Sequence, residues 1–259
     1  MEESGPILIL FKCSKAKDAS RGVFDAPGLW KDCPKTHEKI IRSRAAFIGH
    51  AKDKSPSISL GTEMIQASAL RLYTGKFYEM LKKQGVLSNI EDQIATGALR
   101  CGIVSGGFGL LDASEPVGEY EAPMQKAATL WREKDVDLND VMASLLLELK
   151  PRRVIGFLGQ VQHYWGFLKR GVHLATQRGL STSAVNFYVP NLPQGFQAIE
   201  PEGNALGECC ARMLAEGKWA IDEKMQSQIS FMEWCQTKWK WVTQGLKEGP
   251  AAQESISGT

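Results

Sequence analysis

Three carboxylates and a phenol, Asp112, Glu119, Glu121 and Tyr120, follow a glycine-rich turn, Ser105-Gly106-Gly107-Phe108-Gly109. Carboxylates beside a sugar can stabilise an oxocarbenium-like centre or activate a water, and a phenol can donate or accept a proton. Glycines let a backbone come close to a ligand, so the turn itself is a candidate for substrate contact. Ile103 and Val104 suit a buried strand that ends at Ser105, and Pro116 and Pro123 stiffen the acid-bearing stretch behind it. The same residues also fit a plain strand-to-loop turn followed by solvated acids.

A second chemical element stands near the amino terminus. The apolar run Ile7-Leu8-Ile9-Leu10-Phe11 reads as a strand covered on both faces, and Lys12-Cys13-Ser14-Lys15-Ala16-Lys17 follows it. Open α/β sheets bind ligands beyond the carboxyl ends of their strands, so Lys12, Ser14, Lys15 and Lys17 are candidates for holding phosphate. A solvated basic loop is the alternative. Tyr73-Thr74-Gly75 precedes a predicted helix over Lys76–Lys83, in which Phe77, Met80 and Leu81 share a face and Gly85 closes the run. Thr74 is expected to cap that helix, and Tyr73, Thr74 and Gly75 stand where its amino end can meet an anion. Gln160 and His163 follow another apolar strand, Arg153 to Gly159, and can face the same crevice.

Positioning these groups requires an α/β frame. Asp137 to Lys150 is an amphipathic helix, with Met142, Leu145, Leu146 and Leu149 on one face and Pro151 at its end, and it leads directly into the Arg153 strand. Ala184 to Val189 reads as a fourth strand broken by Pro190, and Gly203 to Glu216 as a helix. Met225, Ile229, Met232, Cys235, Trp239, Val242 and Leu246 recur every three or four residues, which predicts a long amphipathic helix over Asp222 to Lys247. The expected architecture is a single domain over 1–248, compact and mixed α/β, with a mainly parallel sheet flanked by helices. Residues 19–60 read as an irregular basic insertion containing one or two helical turns at His37 to Arg44, and 249–259 as a disordered tail.

Composition bounds the rest. A formal charge of +2 on 259 residues does not by itself argue for nucleic acid, so any basic footprint must come from local clustering. The six cysteines include no C-x-x-C pair, so no metal site is expected, and no cofactor. Five apolar residues behind two glutamates are too few for a secretory signal, and nothing approaches the roughly 18 apolar residues of a membrane span. A reduced, cytoplasmic protein without a membrane partner is expected. Walker, G-x-S-x-G, H-E-x-x-H and zinc-deaminase signatures are all absent from the sequence.

Cys13 to Lys17, Leu72 to Gly75, Val104 to Asp112 and Tyr120 to Met124 occur in an order that resembles the YaaA-type peroxide-stress superfamily. Its pattern is a strand ending in Ser-Pro-Ala-Lys, then Tyr-Thr-Gly, then Leu-Ser-Gly-Leu-Tyr-Gly-Leu-Leu followed by Pro-Tyr. The resemblance covers about Ile7 to Met124 and implies a compact α/β fold with a positive cleft, DNA binding, and protection or processing of DNA. Tyr188 to Gly195 departs from it, since the stretch carries no charge where the family has a basic helix-hairpin-helix-like segment.

The leading expectation is a DNA base N-glycosylase acting on a modified or damaged base, in repair or antiviral defence. Asp112, Glu119, Glu121 and Tyr120 are its candidate catalytic residues, with Asp112 foremost. Phe108, Tyr73, Tyr120 and Gln160 would hold the extruded base and Lys12, Lys15 and Lys17 its phosphates, with Ser105, Gly106 and Gly107 also in contact with substrate. A non-enzymatic DNA-binding stress protein and a nucleoside or nucleotide hydrolase or transferase are the competing classes. The leading reading places the lysine loop, the glycine turn and the acids behind it, Lys15 and Asp112 among them, in one nucleotide-sized pocket.

Overall fold

The computed structural model describes residues 5–55, 57–60, 65–159, 162–181, 185–191, 199–215, 230–235 and 238–242. Among these the strands are β1 (Ile7–Lys12), β2 (Ser59–Leu60), β3 (Ala67–Ser68), β4 (Leu99–Ser105), β5 (Gly109–Asp112), β6 (Pro116–Val117), β7 (Tyr120–Glu121), β8 (Arg153–Phe157), β9 (Asn186–Asn191), β10 (Ser230–Cys235) and β11 (Lys238–Val242). The helices are α1 (Leu29–Asp32), α2 (Pro34–Lys54), α3 (Ala69–Leu72), α4 (Lys76–Lys83), α5 (Val86–Ala95), α6 (Met124–Leu130), α7 (Leu138–Leu149), α8 (Gln162–Gln177) and α9 (Ile199–Ala215).

The fold is α/β, as expected, around a mixed sheet of order β11-β10-β9-β8-β1-β4-β5. Its centre is parallel: β1 pairs with both β4 and β8, and β8 with β9. Antiparallel β5 closes one side, and the antiparallel β10–β11 hairpin extends the other. Alternation along β1 divides the core in two. Ile7, Ile9 and Phe11 pack with α3, α4, α5 and α9 on one face; Leu8 and Leu10 pack with α2, α6, α7 and α8 on the other. Both faces are therefore buried, which is why β1 reads as an unbroken apolar run.

Several boundaries differ from the sequence expectation. Residues 34–54 are one long helix, with Pro34 in its first turn and Thr36, Ile40, Ser43, Phe47 and Ala51 buried along one face. That spacing of three and four is helical; the basic residues between the buried positions obscured it. The predicted helix over Asp222 to Lys247 is replaced, where the structure describes it, by β10 and β11. Trp234, Trp239, Trp241 and Val242 favour extended backbone, and the edge of β9 supplies ladder partners that a lone helix cannot use. Strand β9 runs on through Pro190 because its ladder with β8 ends at Tyr188, leaving Pro190 opposite Phe231 of β10. Gln160, most of Asn191 to Gly195, the rest of the Asp222 to Lys247 segment, and the 249–259 tail lie outside the described residues.

Candidate functional site

In the sheet order β4 lies on one side of β1 and β8 on the other, so the chain direction switches at β1. In such sheets the crevice beyond the carboxyl end of the switching strand is the ligand position. A cavity of about 510 Å3 opens there, within the range of small-molecule sites. Its walls are Lys12 to Lys17, the Gly75 to Tyr78 segment, Tyr120 to Gln125, Tyr164 and Gly203. Four lysines, Lys12, Lys15, Lys17 and Lys76, and a single carboxylate, Glu121, are among these residues, with Lys76 also paired to Glu79 at 3.2 Å. The cavity accordingly favours an anionic ligand.

Backbone pairing holds the lysine loop in place. Cys13 N donates to Val104 O at 2.9 Å, Thr74 N to Ala16 O at 3.0 Å, and Asp18 N to Leu72 O at 2.8 Å. Lys17 also bridges Tyr73 in antiparallel fashion. The Lys17 ammonium sits 4.3 Å from the centre of the Tyr120 ring. Burial pulls its pKa below the ordinary lysine range, while the neighbouring Cys13, Glu121 and Glu119 side chains oppose that.

One wall lends itself to anion binding. Gly75 is the N-cap of α4 and makes no side-chain cap hydrogen bond, so the first-turn N–H groups of Lys76, Phe77 and Tyr78 lack a capping side chain. Thr74 is therefore not the cap that its sequence position suggests; its own N–H is taken up by Ala16. A Cβ on Gly75 would lie 2.2 Å from Ser14 Oγ, so glycine is what lets the hydroxyl reach the helix end. Gly203 of α9 plays the corresponding part from outside, since a Cβ there would meet Lys76 Cβ at 2.9 Å.

Hydroxyls line the cavity at Tyr120 and Tyr164 and back it at Ser105 and Tyr73. Ser105 Oγ lies 2.7 Å from Tyr120 Oη, which lies 2.6 Å from Tyr73 Oη. Tyr164 Oη lies 3.2 Å from Cys13 Sγ. Burial pushes the Tyr73, Tyr120 and Tyr164 phenols up, so they stay protonated and act as donors.

The glycine turn works differently from the sequence expectation. A Cβ on Gly106 would stand 2.0 Å from Ala122 O, and one on Gly107 2.6 Å from the Tyr120 ring. The close approach that glycine permits is to the chain's own Tyr120–Met124 segment rather than to a ligand. Trp131 Nε1 donates to Gly106 O at 2.7 Å, and Phe108 packs edge-on against Tyr120 at 4.9 Å. Ser105, Gly106, Gly107 and Phe108 thus support Tyr120 from behind and do not line the cavity.

Asp112 is the main correction. It lies on β5 and borders a separate pocket formed with Phe24, Trp30, His37, Ser114 and Glu115. Its carboxylate, 3% exposed, accepts N–H from Trp30 at 3.2 Å and from Ser114 at 3.0 Å, and the Ser114 hydroxyl at 3.1 Å. Burial raises its pKa, and the amides of Ser114 and Trp30 counter that only in part. Lys15 and Asp112 therefore do not share a pocket, because the antiparallel turn from β4 into β5 carries Asp112 away from the strand ends. Glu119 is also outside the cavity lining, where it accepts the Ala19 N–H at 3.2 Å.

Of the sequence candidates, the cavity gathers Lys12, Ser14, Lys15, Lys17, Gly75, Tyr120 and Glu121. Tyr73 stands behind Tyr120, and Thr74 and His163 are not part of the lining. Tyr164 follows the Arg153 to Gly159 strand, a position expected to be able to face this crevice, and it does line it, while Cys13, Lys76 and Tyr78 are additions. Cys13 lies inside the lysine motif, and Lys76 and Tyr78 occupy the first turn of a predicted helix, so proximity to the motifs was their only sequence signal. Part of the basic stretch of α2 is committed internally. Arg44 pairs with Glu115 and donates to Phe108 O at 2.9 Å, Lys39 pairs with Asp140, and Lys54 pairs with Glu133 at 2.8 Å. Among the described residues no helix is long and apolar enough to cross a membrane. No protein-family model matches the chain, and no curated protein matches it.

Proposed function

We propose that the chain hydrolyses the N-glycosidic bond of a modified or damaged nucleotide in DNA, with the target base turned out of the stack into the cavity at the end of β1. The observation that supports this reading is that lysines, an uncapped helix end, phenols and one carboxylate line a single cavity of nucleotide size. Ser14, Lys15 and the amino end of α4 take the phosphate, and Tyr78, Tyr120 and Tyr164 flank the base. Glu121 replaces Asp112 as the acting carboxylate, since it is the acid in the lining; it stabilises the positive sugar and accepts a proton from the attacking water. A relationship to the YaaA-type superfamily belongs to the same proposal. The stretches that resemble it, Cys13 to Lys17, Tyr73 to Gly75 and Tyr120 to Met124, meet around this cavity. So does a cytoplasmic setting, in keeping with free thiols at Cys13, Cys33, Cys101, Cys209 and Cys210.

The test is incubation with a panel of oligonucleotides carrying modified bases, followed by hot alkali to cut at abasic sites. Wild-type protein is expected to cut, and Glu121→Gln to lose about 10²–10⁴-fold in rate while still binding the strand. Intact strands across the panel, with binding that weakens steeply in salt, would instead identify a DNA-binding protein without this chemistry. Cleavage of mononucleotides that DNA does not inhibit would identify an enzyme of free nucleotides.

A further inference from the structure

Opposite the buried positions of α2, Ile41, Ala45, Ile48 and Gly49 form an exposed stripe at helical spacing. Ile41 is 50% exposed and Ile48 39%, and a Cβ added at Gly49 would meet nothing within 4 Å. A lone exposed isoleucine is ordinary, but two on one stripe, with small residues beside them, make a surface on which another helix can seat.

Charges close the stripe at both ends. Glu38 lies two turns before Ala45 and Lys52 two turns after it, so both are on this exposed face, about 21 Å apart along the helix. They are too far apart to pair with each other, and among the described residues neither side chain has an ion-pair or hydrogen-bond partner.

The stripe is self-complementary about Ala45. When two copies of α2 lie antiparallel, with Ala45 against Ala45 on a two-fold axis, each residue faces the other copy's residue that stands equally far beyond Ala45. Glu38 then meets Lys52, Ile41 enters the notch at Gly49 beside Ile48, and the Arg42 stem lies along Ile48, every contact occurring twice. A parallel pair would instead set Glu38 against Glu38 and Lys52 against Lys52, so charge selects the antiparallel arrangement. Alanine on the axis and glycine beside it let the backbones approach, and a shallow crossing of about 20° keeps the end pairs together.

We propose that α2 docks on α2 of a second copy of this chain, forming an antiparallel two-fold dimer centred on Ala45. The occupant is a second copy because one and the same stripe supplies both the acid and the base, both the ridge and the notch. No α2 residue lines the cavity at the end of β1, so this association is independent of the N-glycosidase reading. One helix pair buries less than the roughly 1,200 Å2 at which standard interfaces begin, which places the dimer at micromolar concentrations and above.

Sedimentation equilibrium of the full chain over about 1–500 µM tests this, with circular dichroism to verify that each variant is folded. Wild type is expected to pass from monomer to dimer across that range. Glu38→Lys and Lys52→Glu each turn both end pairs into like-charge contacts, and each should weaken association about tenfold. Combining the two substitutions in one chain should restore it. So should an equimolar mixture of the two single variants, because their heterodimer has opposite charges at both ends. A wild type that stays monomeric throughout would overturn the proposal and leave the stripe to a different partner. Association indifferent to the single substitutions, or not regained in the double variant and the mixture, would overturn it as well.

Discussion

Replacing Asp112 separates a structural carboxylate from a catalytic one. In Asp112→Ala the amides of Trp30 and Ser114 lose their acceptor, while the Ser114 hydroxyl can rotate to water. An orphaned donor costs about 1–3 kcal/mol, and Trp30 and Ser114 are half-buried, so the low end applies to each and the sum is about 2–3 kcal/mol. For a chain of this size that is a fall in melting temperature of roughly 5–10 °C. Asp112→Asn keeps one acceptor oxygen and loses about 1 kcal/mol, because its amide must turn a donor toward one of the N–H groups. Thermal unfolding followed by circular dichroism measures both, and under the N-glycosidase proposal base release assayed well below the variants' melting points should stay near wild type. Loss of turnover in an Asp112→Asn protein of unchanged melting temperature would refute the structural assignment.

The pH dependence follows with its sign. Burial raises the native pKa of Asp112 above its unfolded value, so the native state holds the proton over the window between the two. This residue's contribution to stability is complete below the unfolded pKa and declines as pH rises through the native one. Asn at 112 does not titrate. The stability advantage of wild type over Asp112→Asn should therefore be greatest in acid and shrink toward neutral pH, as urea unfolding at a series of pH values would show. An advantage that grows with pH would contradict the burial argument.

Other substitutions probe the frame. Gly106→Ala places a Cβ against Ala122 O, backbone that cannot yield, and should destabilise by about 3 kcal/mol or more in chemical unfolding. Gly75→Ala clashes instead with the Ser14 side chain, so it should weaken phosphate-dependent binding of a nucleotide about tenfold, and adding Ser14→Ala should restore folding stability without restoring that binding. Trp131→Phe removes the donor to Gly106 O and part of the ring stacked on Phe47 at 4.2 Å; a loss of about 2–4 kcal/mol is expected, read as a shift in denaturation midpoint.

Local pattern determined much of the frame. The apolar run of β1, the end of β4 at Ser105, the amphipathic stretch of α7 and the glycine closing α4 were legible because each depends on neighbours within a few residues. The lysine motif was legible for the same reason, as the loop that leaves a buried parallel strand at its carboxyl end. Where several local choices were acceptable, the sequence alone could not decide. Ser230 to Val242 satisfies both helical and extended spacing, and the edge of β9 selected the strands. The alternation that carries Ser105 and Gly109 through a glycine turn says nothing about which acid returns to the cavity. That is set by long-range geometry: β5 folds back antiparallel and takes Asp112 to another surface, whereas the bond from Tyr120 to Tyr73 and the pairing of Ser59 with Glu121 bring Glu121 to the end of β1. Contacts across tens of residues chose the carboxylate, and no spacing within the Asp112 to Glu121 segment encodes them.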